Sequence, residues 1–228
     1  LFQMIDIFAV YGSGGFAREV MPLLKKIKIS NENNYYFIDD YIQKEGLVNG
    51  TKVLTFDKLL HDFSTHNIYC SIAIADFNTR RLITEKCKQN GVKIISIKAD
   101  NCYVMDEVTI GEGSILSPFV TITSNVTIGK SFHANLYSYV AHDCMIGNYV
   151  TFAPGVKCNG NVNINDNVYV GTGAIIHQGK SNKPITIGKN SKIAAGAVVT
   201  KNVPENVTVI GNPAQVLTKE LLKKMRSI

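Results

Sequence analysis

The sequence predicts an α/β, Rossmann-like domain over residues 1–98, followed over residues 99–228 by a parallel β-helix with a short C-terminal helix. Two observations carry that prediction. The first half alternates short apolar runs with helix-spaced segments, as a parallel sheet with crossover helices does. The second half repeats with a period of six residues, as a solenoid of stacked turns does.

Taken in order, IDIFAVY (5–11) is an apolar run ending in GSGG, the pattern of a buried parallel strand entering a turn. FAREVMPLLKK follows at helical spacing, with Pro22 expected to kink or shorten the helix. YYFIDD (35–40) and IYCSIAIA (68–75) read as further strands, NTRRLITEKCKQN (78–90) as a helix and VKIISI (92–97) as a last strand.

From Val108 the chain can be written in sixes: VTIGEG, SILSPF, VTITSN, VTIGKS, FHANLY, SYVAHD, CMIGNY, VTFAPG, VKCNGN, VNINDN, VYVGTG, AIIHQG. The third place is Ile110, Leu116, Ile122, Ile128, Ala134, Val140, Ile146, Phe152, Cys158, Ile164, Val170 and Ile176. No charged or strongly polar residue enters that column over twelve hexads. Five residues, KSNKP (180–184), interrupt the register, which resumes with Ile187, Ile193 and Val199 inward. Each hexad makes one flat side, its third residue fills the core, and Gly, Asn and Asp serve the tight corners. PAQVLTKELLKKMRSI closes the chain as a helix whose Leu217, Leu221 and Met225 are expected to cap the last coil.

Composition narrows the function classes. With 45% apolar and 18% charged residues, the chain can bury a core. No window approaches the roughly 20 apolar residues of a membrane span, and LFQMIDIFAV is too short for a signal peptide. Five cysteines (70, 87, 102, 144, 158) leave an odd count and no C-x-x-C pair, so a reducing cytoplasm is expected rather than a disulfide framework. The five histidines (61, 66, 133, 142, 177) lack ligand spacing beside cysteine or carboxylate, so no metal is expected. A net charge of +6 without a basic run or interleaved aromatics argues against nucleic acid. It leaves a solvated basic surface, or a surface for an anionic small ligand.

The hexads, the GSGG turn, FIDD, HDCMIG, APGVKCNGNV and VIGNPA together resemble the hexapeptide-repeat sugar acyltransferases. The nearest resemblance is to the PglD/NeuD-like subfamily that acetylates nucleotide-linked 4-amino-sugars. Sialic acid O-acetyltransferases share its two-domain layout, and an acceptor hydroxyl is the alternative. The resemblance implies a left-handed β-helix with three hexads per coil, a homotrimer, acetyl-CoA as co-substrate and a UDP-, dTDP- or GDP-linked amino sugar as acceptor. It also implies a catalytic histidine at His142, a nearby asparagine at Asn135, an acetyl-carbonyl donor at Gly160, and CoA contacts at Thr151, Thr172 and Ala195.

The residues themselves speak to part of this. Acetylation of an amine needs a base, a positioned thioester and donors for the oxyanion. His142 follows the inward Val140 by two places and should stand at a coil corner, where an imidazole can accept a proton. Asp143 is the candidate to orient it, although adjacent strand residues point apart. His133 and Asn135 flank the inward Ala134 and should project away from the core. With three hexads per coil, Gly160 stacks directly over His142. Lys183, Lys189, Lys192 and Lys201 are candidates for the CoA phosphates.

In the first half, Gly12, Ser13, Gly14 and Gly15 make a turn that admits a phosphate to N–H groups at a helix start. Gly12, Gly14 and Ala17 satisfy G-x-G-x-x-A, with Asp39 a little over 20 residues on. A NAD reading is weakened because this half ends before a second mononucleotide unit. The resemblance gives the pocket to the nucleotide of the sugar, with Asp39 and Asp40 near ribose or base. Phe16 and Ala75-Asp76 depart from relatives that carry histidine and Gly-Asn, which leaves the base and sugar open.

Overall fold

A computed structural model describes residues 6–27, 34–42 and 46–226. The chain forms two compact units, residues 1–98 with 112–115, and residues 99–111 with 116–228.

In the first unit, β1 (Asp6–Tyr11) runs into α1 (Gly15–Lys25), then β2 (Asn34–Ile38), β3 (Gly46–Val48), β4 (Thr51–Leu54), α2 (Phe56–Asp62), β5 (Asn67–Ile72), α3 (Phe77–Gln89) and β6 (Lys93–Ile94). The sheet order is β3-β4-β2-β1-β5-β6, parallel except for β3. β1 is central, and Ile7 to Tyr11 are all buried because both faces of the sheet are covered. Ala17, Val20, Met21 and Leu24 form the buried stripe of α1, which continues through the exposed Pro22 to Lys25. Burial of that stripe holds the helix past the missing N–H, so Pro22 neither ends nor shortens it.

Three elements of this unit escaped the pattern reading. β3 and β4 form a hairpin on Asn49-Gly50, both in the left-handed region (φ 47° and 74°), a turn that Asn-Gly signals in sequence. α2 starts at Thr55, whose Oγ1 accepts from Lys58 N. VKIISI, expected as one strand, divides: Lys93–Ile94 pairs with β5, whereas Ile97 donates to Ser114 O.

The second unit is a left-handed β-helix whose strands lie in three flat sheets. Neighbouring strands pair 18 residues apart, three hexads to the coil: His133 with Thr151, Tyr139 with Lys157, Met145 with Asn163. After the insertion Ile164 pairs with Ile187, and the inward column resumes. Every third-place side chain is buried except Ile110, which is half-buried near the first coil. Phe152 and Phe132 meet edge to face in the core, with centroids 5.2 Å apart.

The sixth place turns each corner. Phe119, Asn125, Ser131, Tyr137, Asp143, Tyr149, Asn161 and Asn167 there have φ from 53° to 63°. Corners therefore carry aromatic and hydroxyl side chains as well as the expected Gly, Asn and Asp, because the stacked coils hold them there. Lys180 and Lys183 exchange backbone hydrogen bonds (3.0 and 2.9 Å), so the insertion is a tight turn over Ser181-Asn182. An antiparallel pair, Thr208–Ile210 with Gln215–Val216, and α4 (Lys219–Arg226) close the unit. Leu217 and Leu221 are half-buried; the Met225 side chain lies outside the described residues.

Candidate active site

Two places in the chain gather the residues that the sequence singles out. The first is a cavity of about 530 Å³ at the carboxyl ends of β1, β2 and β5. The chain leaves β1 toward β2 on one side and β5 lies on the other, so this is the crevice where open α/β sheets bind ligands. Gly12, Ser13, Gly14, Gly15, Asp39 and Asp40 all line it. Gly12 has φ 111°, and a Cβ there would press on Ala73 O at 3.2 Å, so the turn requires glycine. α1 begins at Gly15 with Gly14 as its cap and no side-chain cap bond, so the amino end of a helix borders the cavity.

Asp39 and Asp40 divide their work. Ser13 Oγ donates to Asp39 Oδ2 and Tyr41 N to Oδ1 at 3.0 Å, which ties the glycine turn to the end of β2. Asp40 has other partners, accepting from Tyr11 Oη (2.6 Å), Lys86 Nζ (2.8 Å) and Phe56 N (2.8 Å). Burial opposes its ionisation, but the Lys86, Tyr11 and Phe56 bonds outweigh it and hold the carboxyl below its usual range. The same arrangement, led by burial, pushes the Tyr11 phenol far up, so it stays a donor.

Lys86 was not singled out in the sequence, yet a signal was there. Thr79, Leu82, Ile83 and Lys86 all line the cavity and follow i, i+3, i+4, i+7 on α3, one helical face. Asp76 belongs to the frame instead: it caps α3, accepting from Thr79 N (2.8 Å) and Thr79 Oγ1 (2.7 Å). Phe16 lines the cavity, so that departure does bear on the pocket.

The second place is a corner of the β-helix. His142 Nδ1 lies 2.7 Å from Asp143 Oδ2, and both side chains are about half exposed (48%). Strand alternation would separate them; the left-handed φ of 58° at Asp143 ends the alternation and turns its carboxylate back. The His142 hydrogen bond, seconded by Asn125, holds the Asp143 carboxyl below its usual range. An ionised carboxylate accepts only, so the proton shared between them is donated by Nδ1.

Gly160 stacks over His142 as the register requires: Asn161 N donates to His142 O at 3.0 Å, and Gly179 N to Gly160 O at 2.9 Å. The same corner continues through Gln178 to a cavity of about 500 Å³ bordered by Lys180, Lys183, Thr200 and Lys201. Lys189 instead borders a cavity with Asp166 and Glu205, and Lys192 stands exposed on a flat side.

The remaining candidates are not at this corner. Asn135 follows the preceding flat side, one corner earlier in the same coil, and its Nδ2 donates to Phe152 O at 3.0 Å. Thr172 and Ala195 stack at that earlier corner on later coils, both exposed. Thr151 and His133 do not project to solvent as outward places should; they are 3% and 0% exposed. Among the described residues no group of three or more His, Cys, Asp and Glu could hold a metal ion.

Comparison with known proteins agrees with this layout. Residues 8–87 match the PglD N-terminal domain family. A GDP-perosamine N-acetyltransferase of Escherichia coli O157:H7 is 46% identical, covering 92% of this chain and 96% of that protein. The chain belongs to the PglD/NeuD-like hexapeptide-repeat sugar acetyltransferases. Solved members of similar shape include WeeI from Acinetobacter baumannii AYE (48% identity, TM-score 0.89, 93% of this chain and 100% of that one). Another is the acetyltransferase domain of PglB from Neisseria gonorrhoeae FA1090 in complex with acetyl coenzyme A (28% identity, TM-score 0.81, 92% and 98%). PglD-like members pair an N-terminal Rossmann-like unit with a β-helix, the two units described above.

Proposed function

We propose that this chain transfers the acetyl group of acetyl-CoA to the 4-amino group of a nucleotide-linked amino-dideoxy sugar, with GDP-perosamine the first acceptor to try. The His142–Asp143 pair under Gly160 carries the reading, and the names of the relatives support the acceptor and the thioester. The glycine turn and α1 hold the diphosphate, and Asp39 the ribose.

His142 Nε2 takes the proton that the attacking amine gives up as its nitrogen bonds to the acetyl carbon. Asp143 fixes the tautomer and offsets the imidazolium charge. Gly160 N–H donates to the carbonyl oxygen as negative charge gathers on it. The carbon–sulfur bond then breaks, and the imidazolium returns its proton to the thiolate. Transfer is direct, in a ternary complex, with no acyl-enzyme. Cys158 faces the core and Cys144 is buried, so neither thiol competes as a nucleophile.

Asn135, Thr172 and Ala195 belong to one corner and His142 and Gly160 to the next. A homotrimer that sets one copy's corner against another's gives both sets a share in a single acetyl-CoA groove. Lys183 and Lys201 then meet the CoA phosphates. The five cysteines are buried and form no disulfide, which suits a reducing cytoplasm. No described helix is long and apolar enough to cross a membrane.

A thiol-release assay with acetyl-CoA and GDP-, UDP- and dTDP-linked 4-amino-sugars, wild type beside His142→Ala, tests the reading. Turnover of one acceptor with a loss of roughly 10²–10⁴-fold in the variant supports it. Turnover only on a sialic-acid-like hydroxyl acceptor replaces it with O-acetylation.

A further inference from the structure

We propose that Lys86 reads the base of the bound nucleotide through a ring keto oxygen, O6 of guanine or O4 of uracil; this rests on the nucleotide reading of the cavity. The cavity has two kinds of polar wall. One is the glycine turn with the amino end of α1, which suits a diphosphate. The other is Lys86, two turns along α3 from Thr79, roughly 10 Å at 1.5 Å per residue. Between them the wall is mostly apolar, with Ile38, Ile74 and Ile83. Tyr41 and Leu82, 94% and 66% exposed, stand at its border as apolar groups able to cover the faces of a planar ring.

The partners of Lys86 separate a base contact from a phosphate contact. Nζ donates to Asp40 Oδ2 at 2.8 Å and stands over the Phe56 ring, 4.5 Å from its centroid. Asp40 is itself fixed by the Tyr11 hydroxyl and Phe56 N. The ammonium charge is therefore largely answered inside the protein, while N–H donors remain beyond the one given to Asp40. A neutralised ammonium with spare donors gains little from a dianion. It suits a neutral carbonyl, whose single need is a fixed donor. A base with an exocyclic amino group at that place, adenine or cytosine, would set donor against donor. Tyr11 and Asp40 act here as positioning residues and Lys86 as the contact.

Binding measurements on the full chain test this with four probes. GDP is set against 2-aminopurine riboside diphosphate, and UDP against 2-pyrimidinone riboside diphosphate; each analogue lacks the keto oxygen and its neighbouring N–H. Whichever of GDP and UDP binds the wild type should exceed its analogue by about 10–100-fold, the worth of a hydrogen bond to a charged group. Lys86→Met should lose that factor for the keto nucleotide and nothing further for the analogue, and Lys86→Arg should regain most of it. Equal weakening of both partners by Lys86→Met would overturn the assignment, since Lys86 would then act on phosphate, ribose or fold. No binding of GDP, UDP or dTDP to the wild type would overturn the nucleotide reading itself.

Discussion

The imidazole of His142 occupies the place that a side chain at Gly160 would take. A Cβ built on Gly160 falls 2.5 Å from His142 Cε1 and 2.6 Å from Nε2, closer than real Cβ contacts come. The fifth place of this hexad is thus glycine because of the histidine one coil away, about 4.8 Å along the stack. Gly160→Ala should leave the coil folded and push the imidazole aside. Steady-state assays should show a fall of about 10²-fold in turnover, the order expected for a 1 Å misplacement, with little change in melting temperature.

Asp143 offers a separate test of the pair. Asp143→Asn keeps the shape but can donate to Nδ1, which favours the tautomer with its proton on Nε2. Turnover should drop by about 10²-fold, short of the whole contribution of the base. The KM for acetyl-CoA should hold, since Asp143 contacts the imidazole and not the thioester. An unchanged turnover would remove Asp143 from the mechanism.

The Tyr11–Asp40–Lys86 set makes the first unit sensitive to acid. The Asp40 carboxyl is held below its usual range, so its stabilising bonds are present above the unfolded value, about 3.9. They are lost as pH falls through the lower folded value. Thermal melts of wild type and Asp40→Asn should differ at pH 7, and the gap should close below about pH 4. A gap that widened on acidification would contradict the sign.

The lysines at the far end of the His142 corner predict a salt-sensitive co-substrate site. Charge reversal at Lys183 and Lys201 should raise the KM for acetyl-CoA by about 10-fold at low salt, and the difference should shrink as ionic strength rises. The KM for the nucleotide sugar should not move. Equal effects on both substrates would place the phosphates elsewhere.

Periodicity made the β-helix legible, because one buried side chain in every six is a local property of the chain. The column from Leu116 to Val199 needs no knowledge of distant residues, and the stacking of Gly160 on His142 followed from counting alone. The Asn49-Gly50 hairpin was also written locally and went unread. Contacts set by backbone geometry or by distant partners were not legible. Asp143 meets His142 only because its φ is 58°, which stacked coils impose on a non-glycine residue. Asp40 and Lys86 are 46 residues apart, and their pairing arises from where β2 and α3 end up. His133 and Thr151 stand at outward places in the repeat, yet both are buried. The sequence by itself determined which side chains enter the coil and which occupy its corners, since that follows from the period. Only the tertiary structure decided which corner residues touch and which carboxylate holds the lysine, since those depend on through-space distances between segments that the period does not relate.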